Sequence, residues 1–208
     1  MKPFLTIWSQ PSNTIRYVME HKNISYGVVI IALATLTVAP MTGTSFYFID
    51  EFSIPVVLGS SLVLMFFGSL LAWLLQSVLS TWIGKWLGGK GSFKEMMSVI
   101  PLSIIPTIWM FPLTFLFMIS MIFTMMNEGT PMATAFVLLV FAGPLINLIF
   151  FGLSIYSTVI LSKAIGIVHQ FSSWRGFGTL AIIFGIFCVI GFVVIFVFSA
   201  LFYAILSY

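Results

Sequence analysis

The segment Gly84-Lys85-Trp86-Leu87-Gly88-Gly89-Lys90-Gly91 comes within one residue of a phosphate-binding loop. Such a loop cradles phosphates with glycine N–H groups and a lysine, and the Ser or Thr after that lysine holds magnesium. Gly91 stands at the Ser/Thr position, and a long apolar run replaces the strand that should lead in. Nucleotide binding is therefore rejected. The segment reads instead as a tight, lysine-bearing turn, its glycines permitting positive φ and its lysines suited to anionic headgroups. Gly84 and Gly88 also form a GxxxG pair at the end of an apolar run, a spacing that lets helices pack closely. His21 and His169 are the two histidines, and no cysteine or carboxylate accompanies them at metal-ligand spacing, so both read as solvated or interfacial. Asp50-Glu51 is a carboxylate pair without a neighbouring base, nucleophile or metal motif, and reads as a solvated turn. The lone Cys188 excludes an intrachain disulfide and reads as a small buried residue. Asn23-Ile24-Ser25 spells a glycosylation sequon but abuts an apolar run on the basic side, so it is discounted. Serines and threonines are scattered without a catalytic partner. No enzyme, cofactor or metal site follows from these residues.

The elements that carry them must lie in lipid. Apolar and aromatic residues make up 61% of the 208 residues and charged residues 6%, against about 25% charged in soluble domains. A water-facing surface cannot be built from so few charges. The formal charge of +3 then reflects loop bias rather than nucleic-acid binding. The charges divide the chain into uncharged runs: 27 residues between Lys22 and Asp50, 33 between Glu51 and Lys85, 32 between Glu95 and Glu128, 34 between Glu128 and Lys163, and 33 after Arg175. About 20 apolar residues cross a bilayer as a helix, so each run holds one span and none holds two. The runs are continuous rather than alternating, which selects helices, and a helix satisfies its own backbone in lipid.

The expected fold is an all-α, polytopic bundle of five transmembrane helices, near 26–46, 56–83, 103–126, 132–161 and 177–205, following a cytoplasmic segment 1–25. That segment shows no cleavage site, so the first span is expected to remain as an anchor. Lys2, Arg16, Lys22, Lys85, Lys90, Lys94, Lys163 and Arg175 all fall on one side, opposite Asp50, Glu51 and Glu128. Positive charge stays inside, which gives an N-in/C-out topology. Tyr47, Trp82, Trp86, Trp174 and Tyr208 fall near span ends, where interfacial aromatics belong.

Pro11–Lys22 reads as a short interfacial amphipathic helix, with Ile15, Val18 and Met19 on one face and an Arg16–Glu20 pair on the wet one. Ser92–Val99 reads as a second, with Phe93, Met96 and Met97 opposite Lys94 and Glu95. Pro101, Pro106 and Pro112 predict a bent entry to the third span, with regular helix after Pro106. Pro40 and Pro144 allow kinks in the first and fourth. The spans contain no ionisable residue, which argues against a proton- or ion-coupled transporter. Gln76 and Asn147 are the strongest polar groups inside, each able to hydrogen-bond across helices or to touch a polar substrate.

Three stretches carry a family resemblance. They are Pro3-Phe4-Leu5-Thr6-Ile7-Trp8 with Pro11 and Thr14-Ile15-Arg16-Tyr17, then Gly84 through Glu95, then Val168-His169-Gln170-Phe171-Ser172-Ser173-Trp174-Arg175. In this order they resemble the bacterial branch of the Yip1 integral membrane family over nearly the whole chain. The resemblance implies a five-helix membrane domain and a plasma-membrane location. Eukaryotic members have a cytosolic N-terminus, act in Golgi and endoplasmic reticulum traffic, and associate with Rab GTPases. Their Asp-Leu-Tyr-Gly-Pro signature and long soluble N-terminal region are missing here, so a Rab partner is not carried over. The expected function is a non-enzymatic scaffold or adaptor that organises membrane lipids or recruits a protein partner. Its contact set at the cytoplasmic face is Trp8, Arg16, Lys85, Trp86, Gly88, Gly89, Lys90, Gly91, His169, Trp174 and Arg175. The alternative is a small transporter or channel for a neutral or lipid-like substrate, with a cavity near Gln76 and Asn147. Oligomeric state is not readable from these residues.

Overall fold

Long uncharged runs leave the backbone one way to satisfy its polar groups in hydrocarbon, and they fold accordingly. The computed structural model describes residues 2–46, 53–126 and 138–206, and all regular structure among them is helical. Two short helices, α1 (Pro3–Ser9) and α2 (Pro11–His21), precede α3 (Ile24–Phe46) and α4 (Ile54–Trp86). Next come α5 (Phe93–Val99), a 3-10 turn over Ile100–Ile104, α6 (Ile105–Ile108) and α7 (Phe111–Met126). A π-helical turn, Leu138–Ala142, leads into α8 (Gly143–His169), and α9 (Ser173–Leu206) ends the described chain. Four helices are long and apolar enough to cross a membrane, and the two arms of the third apolar run, which meet at 52°, can make a fifth. Asp50, Glu51, Glu128, Tyr47 and Tyr208, named above as turn or interfacial residues, lie outside the described residues.

Two helices depart from the sequence expectations: the fourth long helix runs on to His169 instead of ending near 161, and the third run is broken. Regular helix in the third run starts at Phe111 rather than just after Pro106. Proline lacks an N–H and its ring crowds the carbonyl four residues back. For Pro112 that carbonyl belongs to Ile108, where α6 stops. Pro106 is absorbed in the first turn of α6, and the N–H of Ile105 makes a 3-10 bond to the Leu102 carbonyl. Pro101 would orphan the Met97 carbonyl in the same way, but the Trp73 indole N–H donates to it from α4 at 3.0 Å. Gly27 of α3 completes this junction: a Cβ there would come within 2.9 Å of the Pro101 ring and 3.1 Å of the Trp73 ring. Pro144 sits in the first turn of α8, just after the π turn, and Pro40 lies inside α3.

Burial is concentrated at the end of the bundle that carries the basic residues. Ile7, Ile15, Ile30, Met96, Leu102, Ile105, Ile160 and Ile165 are each 0% exposed and belong to one core. This core corrects the expectation for α2. Ile15 and Val18 pack into protein rather than lying on lipid, and α1, which the sequence reading did not separate, packs beside them. The Arg16–Glu20 pair does not form, and the acid's contact is His21 at 3.9 Å. Elsewhere the helices turn apolar side chains outward: Phe184, Phe192 and Ile195 are 71%, 72% and 70% exposed. Cys188 is exposed on the same helix, not buried. Water does not tolerate a contiguous apolar surface of this extent, so these faces meet lipid.

Candidate functional site at the basic end

The turn after α4 is shaped by the way that helix stops. Gly88 adopts φ 86°, the Gly88 N–H bonds to Lys85 O at 3.0 Å, and the Gly89 N–H bonds to Gly84 O at 2.9 Å. Both bonds together make a Schellman cap, which favours glycine at the left-handed position. The end of α8 repeats it. Gln170 takes φ 58°, its N–H bonds to Ile167 O at 3.2 Å, and the Phe171 N–H bonds to Gly166 O at 2.9 Å.

His169 joins the two caps. Expected at the surface, it is buried, 1% exposed. Its Nδ1 accepts from the Gly91 N–H at 3.1 Å, while its Nε2 lies 3.1 Å from the Ser80 carbonyl and therefore donates to it. One nitrogen accepting and the other donating fixes a neutral ring with the proton on Nε2. The Lys90 N–H donates to His169 O at 3.3 Å, and the ring stacks on Phe171 with centroids 5.3 Å apart. The glycines of the loop now have separate reasons. Only Gly88 needs positive φ. A Cβ on Gly84 or Gly89 would fall on the imidazole, and one on Gly91 would come 2.6 Å from the Val168 side chain. The phosphate-loop likeness is thus a steric requirement: the glycines make room for a histidine about 80 residues away.

Above this lock the charges are free to meet a ligand. Arg16, Lys85, Lys90 and Arg175 are exposed, as are Trp8, Trp86 and Trp174. Among the described residues none of the four cations is paired with an acid. Trp82 and Trp86 pair at 4.3 Å on the outside of α4, and Trp174 is 82% exposed. Trp8 is placed differently from the others. It stacks on Tyr156 at 5.3 Å, and the Tyr156 hydroxyl donates to the carbonyls of Ile7 and Trp8 at 3.1 and 2.9 Å. Tyr156 lies seven residues before Lys163 on α8, about 10 Å along a helix axis. The N-terminal helix is therefore fastened to the flank of the bundle, below the lysine level.

The two intramembrane amides do not bridge helices. Gln76 donates to the Ser80 hydroxyl at 3.1 Å and Asn147 to the Gly143 carbonyl at 2.9 Å, each on its own helix. Gln76 borders a cavity of about 490 Å³ lined mainly by leucine, isoleucine and phenylalanine, whereas Asn147 is exposed on α8. The side chains that tie distant segments together are Trp73, Tyr156 and His169. Trp73 could have been found from the proline rule, since a buried indole N–H needs an acceptor and Pro101 frees one. Tyr156 and His169 carry no local signal. Among the described residues no cluster of His, Cys, Asp or Glu could hold a metal.

These features define a polytopic α-helical integral membrane protein whose short helices gather at one basic end. The Yip1 domain profile matches residues 5–195, and the chain belongs to that family. No curated protein and no solved structure matches it.

Proposed function

We propose that the protein is a non-enzymatic membrane scaffold or adaptor, with its basic end in the cytoplasm of a bacterial cell and docking a partner protein or lipid headgroups there. The observation that carries this reading is the His169 lock beneath unpaired cations. A turn that only set orientation would need its lysines and nothing more. Here the lysine-bearing loop is held by a buried side chain from another helix, so Lys85, Lys90, Trp86, Trp174 and Arg175 are presented on a fixed frame. Preorganised contact groups lose less entropy on binding. The transporter reading has less support, because Gln76 and Asn147 do not share a cavity: Gln76 borders one, and Asn147 is exposed on α8 and does not line it.

The test is photo-crosslinking in native membranes from position 86, 90 or 174, against a control at Val193 on the lipid-facing part of α9. Discrete protein or lipid adducts from the first three positions, reduced by K85Q/K90Q with membrane orientation unchanged, are the expected result. If K85Q/K90Q changes orientation and leaves the adducts as they were, the lysines set topology and dock nothing.

A further inference from the structure

A groove of about 500 Å³ opens between α8 and α9, lined by Ile155, Thr158, Val159, Ser162, Lys163, Ser173, Trp174 and Phe177. It is amphipathic along its length. Ile155 and Val159 lie on the apolar turns of α8, and Phe177 faces them from α9. Lys163 and Ser173 stand at the basic end. Ile155 to Lys163 spans eight residues, about 12 Å of helix rise, which fits within a leaflet whose hydrocarbon is about 15 Å deep. The polar end is thus at headgroup level and the apolar end among acyl chains.

The helices cannot close this groove by themselves. At the basic end the α8–α9 hairpin is already at contact distance: a Cβ on Gly176 would collide with the Ser162 carbonyl, and one on Gly166 would come within 3.2 Å of Ser173. The Thr158 and Ser162 hydroxyls are turned to carbonyls of their own helix, Ser154 O at 2.9 Å and Thr158 O at 2.7 Å. They leave the groove wall apolar and the lysine as its charged group. Among the described residues Lys163 has no acidic partner, and the other charge of the 162–176 segment is Arg175, also positive. The positive end of the α9 helix dipole adds to the same potential. Trp174, largely exposed, is an indole of the kind that sits among headgroups.

We propose that this groove binds one anionic phospholipid, its phosphate at Lys163 and Ser173 and an acyl chain along Ile155, Val159 and Phe177. The inference deepens the reading above, resting on it for the placement of the basic end at a headgroup layer, but uses different residues from the docking lysines. A zwitterionic lipid would bring an ammonium into a site that already holds a cation, so the preference is for net negative charge.

The experiment uses the full chain in nanodiscs containing phosphatidylcholine and phosphatidylglycerol, one of the two brominated on its acyl chains. The Trp174 signal is the difference in tryptophan emission between the wild type and W174F. Brominated phosphatidylglycerol should quench that signal at about one fifth the mole fraction that brominated phosphatidylcholine requires, the scale of one surface lysine near anionic lipid. K163Q should abolish the preference and K163R retain it. K94Q, which removes equal charge from the same end at an exposed lysine outside the docking set, should leave it unchanged. Equal quenching by both lipids in the wild type, or a preference that survives K163Q, would overturn the site. A loss as large in K94Q as in K163Q would reduce it to a general surface field. Because K85Q/K90Q is the pair that probes the docking face, the two readings can fail separately.

Discussion

His169 is held by two backbone partners and three glycines that leave space for its ring, so its neighbours should respond to substitution by mechanism and not by chemical similarity. H169A removes the acceptor of Gly91 N–H and the donor to Ser80 O and opens a cavity. Unsatisfied backbone groups and lost packing together cost about 2–4 kcal/mol, read as a lower thermal midpoint in detergent. G84A and G89A should be comparably damaging, because the added carbon meets the imidazole. G88A meets nothing within 4 Å and should cost only the left-handed backbone term, about 1 kcal/mol. If G88A proved the worst of the three, the loop would be governed by backbone conformation and the lock would have the wrong cause. This is also where the sequence misleads most. The glycine–lysine run resembles a chemical motif, but what it accommodates lies far along the chain, and no spacing rule links the two. The lysines and tryptophans were legible because charge and interfacial preference are properties of single residues. The burial of His169 depends on a tertiary contact.

The third apolar run shows what proline can and cannot announce. Its prolines make a bend predictable, yet the break falls at Ile108, since Pro112 acts on the carbonyl behind it while Pro101 and Pro106 are accommodated by 3-10 geometry and by Trp73. The Trp73–Pro101 relation can be tested by a double-mutant cycle. W73F leaves the Met97 carbonyl without its donor and should lose about 1–3 kcal/mol. P101A restores an N–H four residues on, so W73F in the P101A background should cost measurably less. Additive losses would show that the indole stabilises by packing alone. A second element, α1, is tied to α8 by one hydroxyl. Y156F removes the donor to Ile7 and Trp8 but keeps the stacked ring. Hydrogen exchange at residues 3–9 should rise, while the global midpoint moves by less than about 1.5 kcal/mol. Unchanged exchange would mean that the apolar contacts of Ile7 suffice. Neither helix α1 nor its partner was legible, because a seven-residue apolar segment has no period of its own and folds only against neighbours.

At the scale of the whole molecule, the number of crossings follows from which ends are joined. The Gly91 loop after α4 is bonded to His169 at the end of α8, so those two helix ends lie on the same side. α8 has 27 residues, about 40 Å of rise, which puts Gly143 at the opposite side of a hydrocarbon layer about 30 Å thick. The chain therefore leaves the basic end after Gly91 and reaches the far end before Gly143. With its 52° bend, the third run is then expected to make one net crossing rather than return as a re-entrant loop. α9 then starts beside His169 and runs 34 residues away from it, while α3 starts from α2 in the basic-end core and α4 brings the chain back. The expected count is odd, with the two termini in opposite compartments, and reporter fusions test it. Charge gaps alone gave one span to each run, and the pairing of Gly91 with His169 supports that reading for the proline-rich one. Reporters fused after Lys90 and at the N-terminus should be found in one compartment, cytoplasmic if the eight basic residues orient the chain as loops elsewhere do, and a reporter after Tyr208 in the other. H169A should leave that distribution unchanged, because orientation is set by charge and the lock forms only once the helices have inserted. Both termini found together would require an even number of crossings and so a break in the pairing of Gly91 with His169.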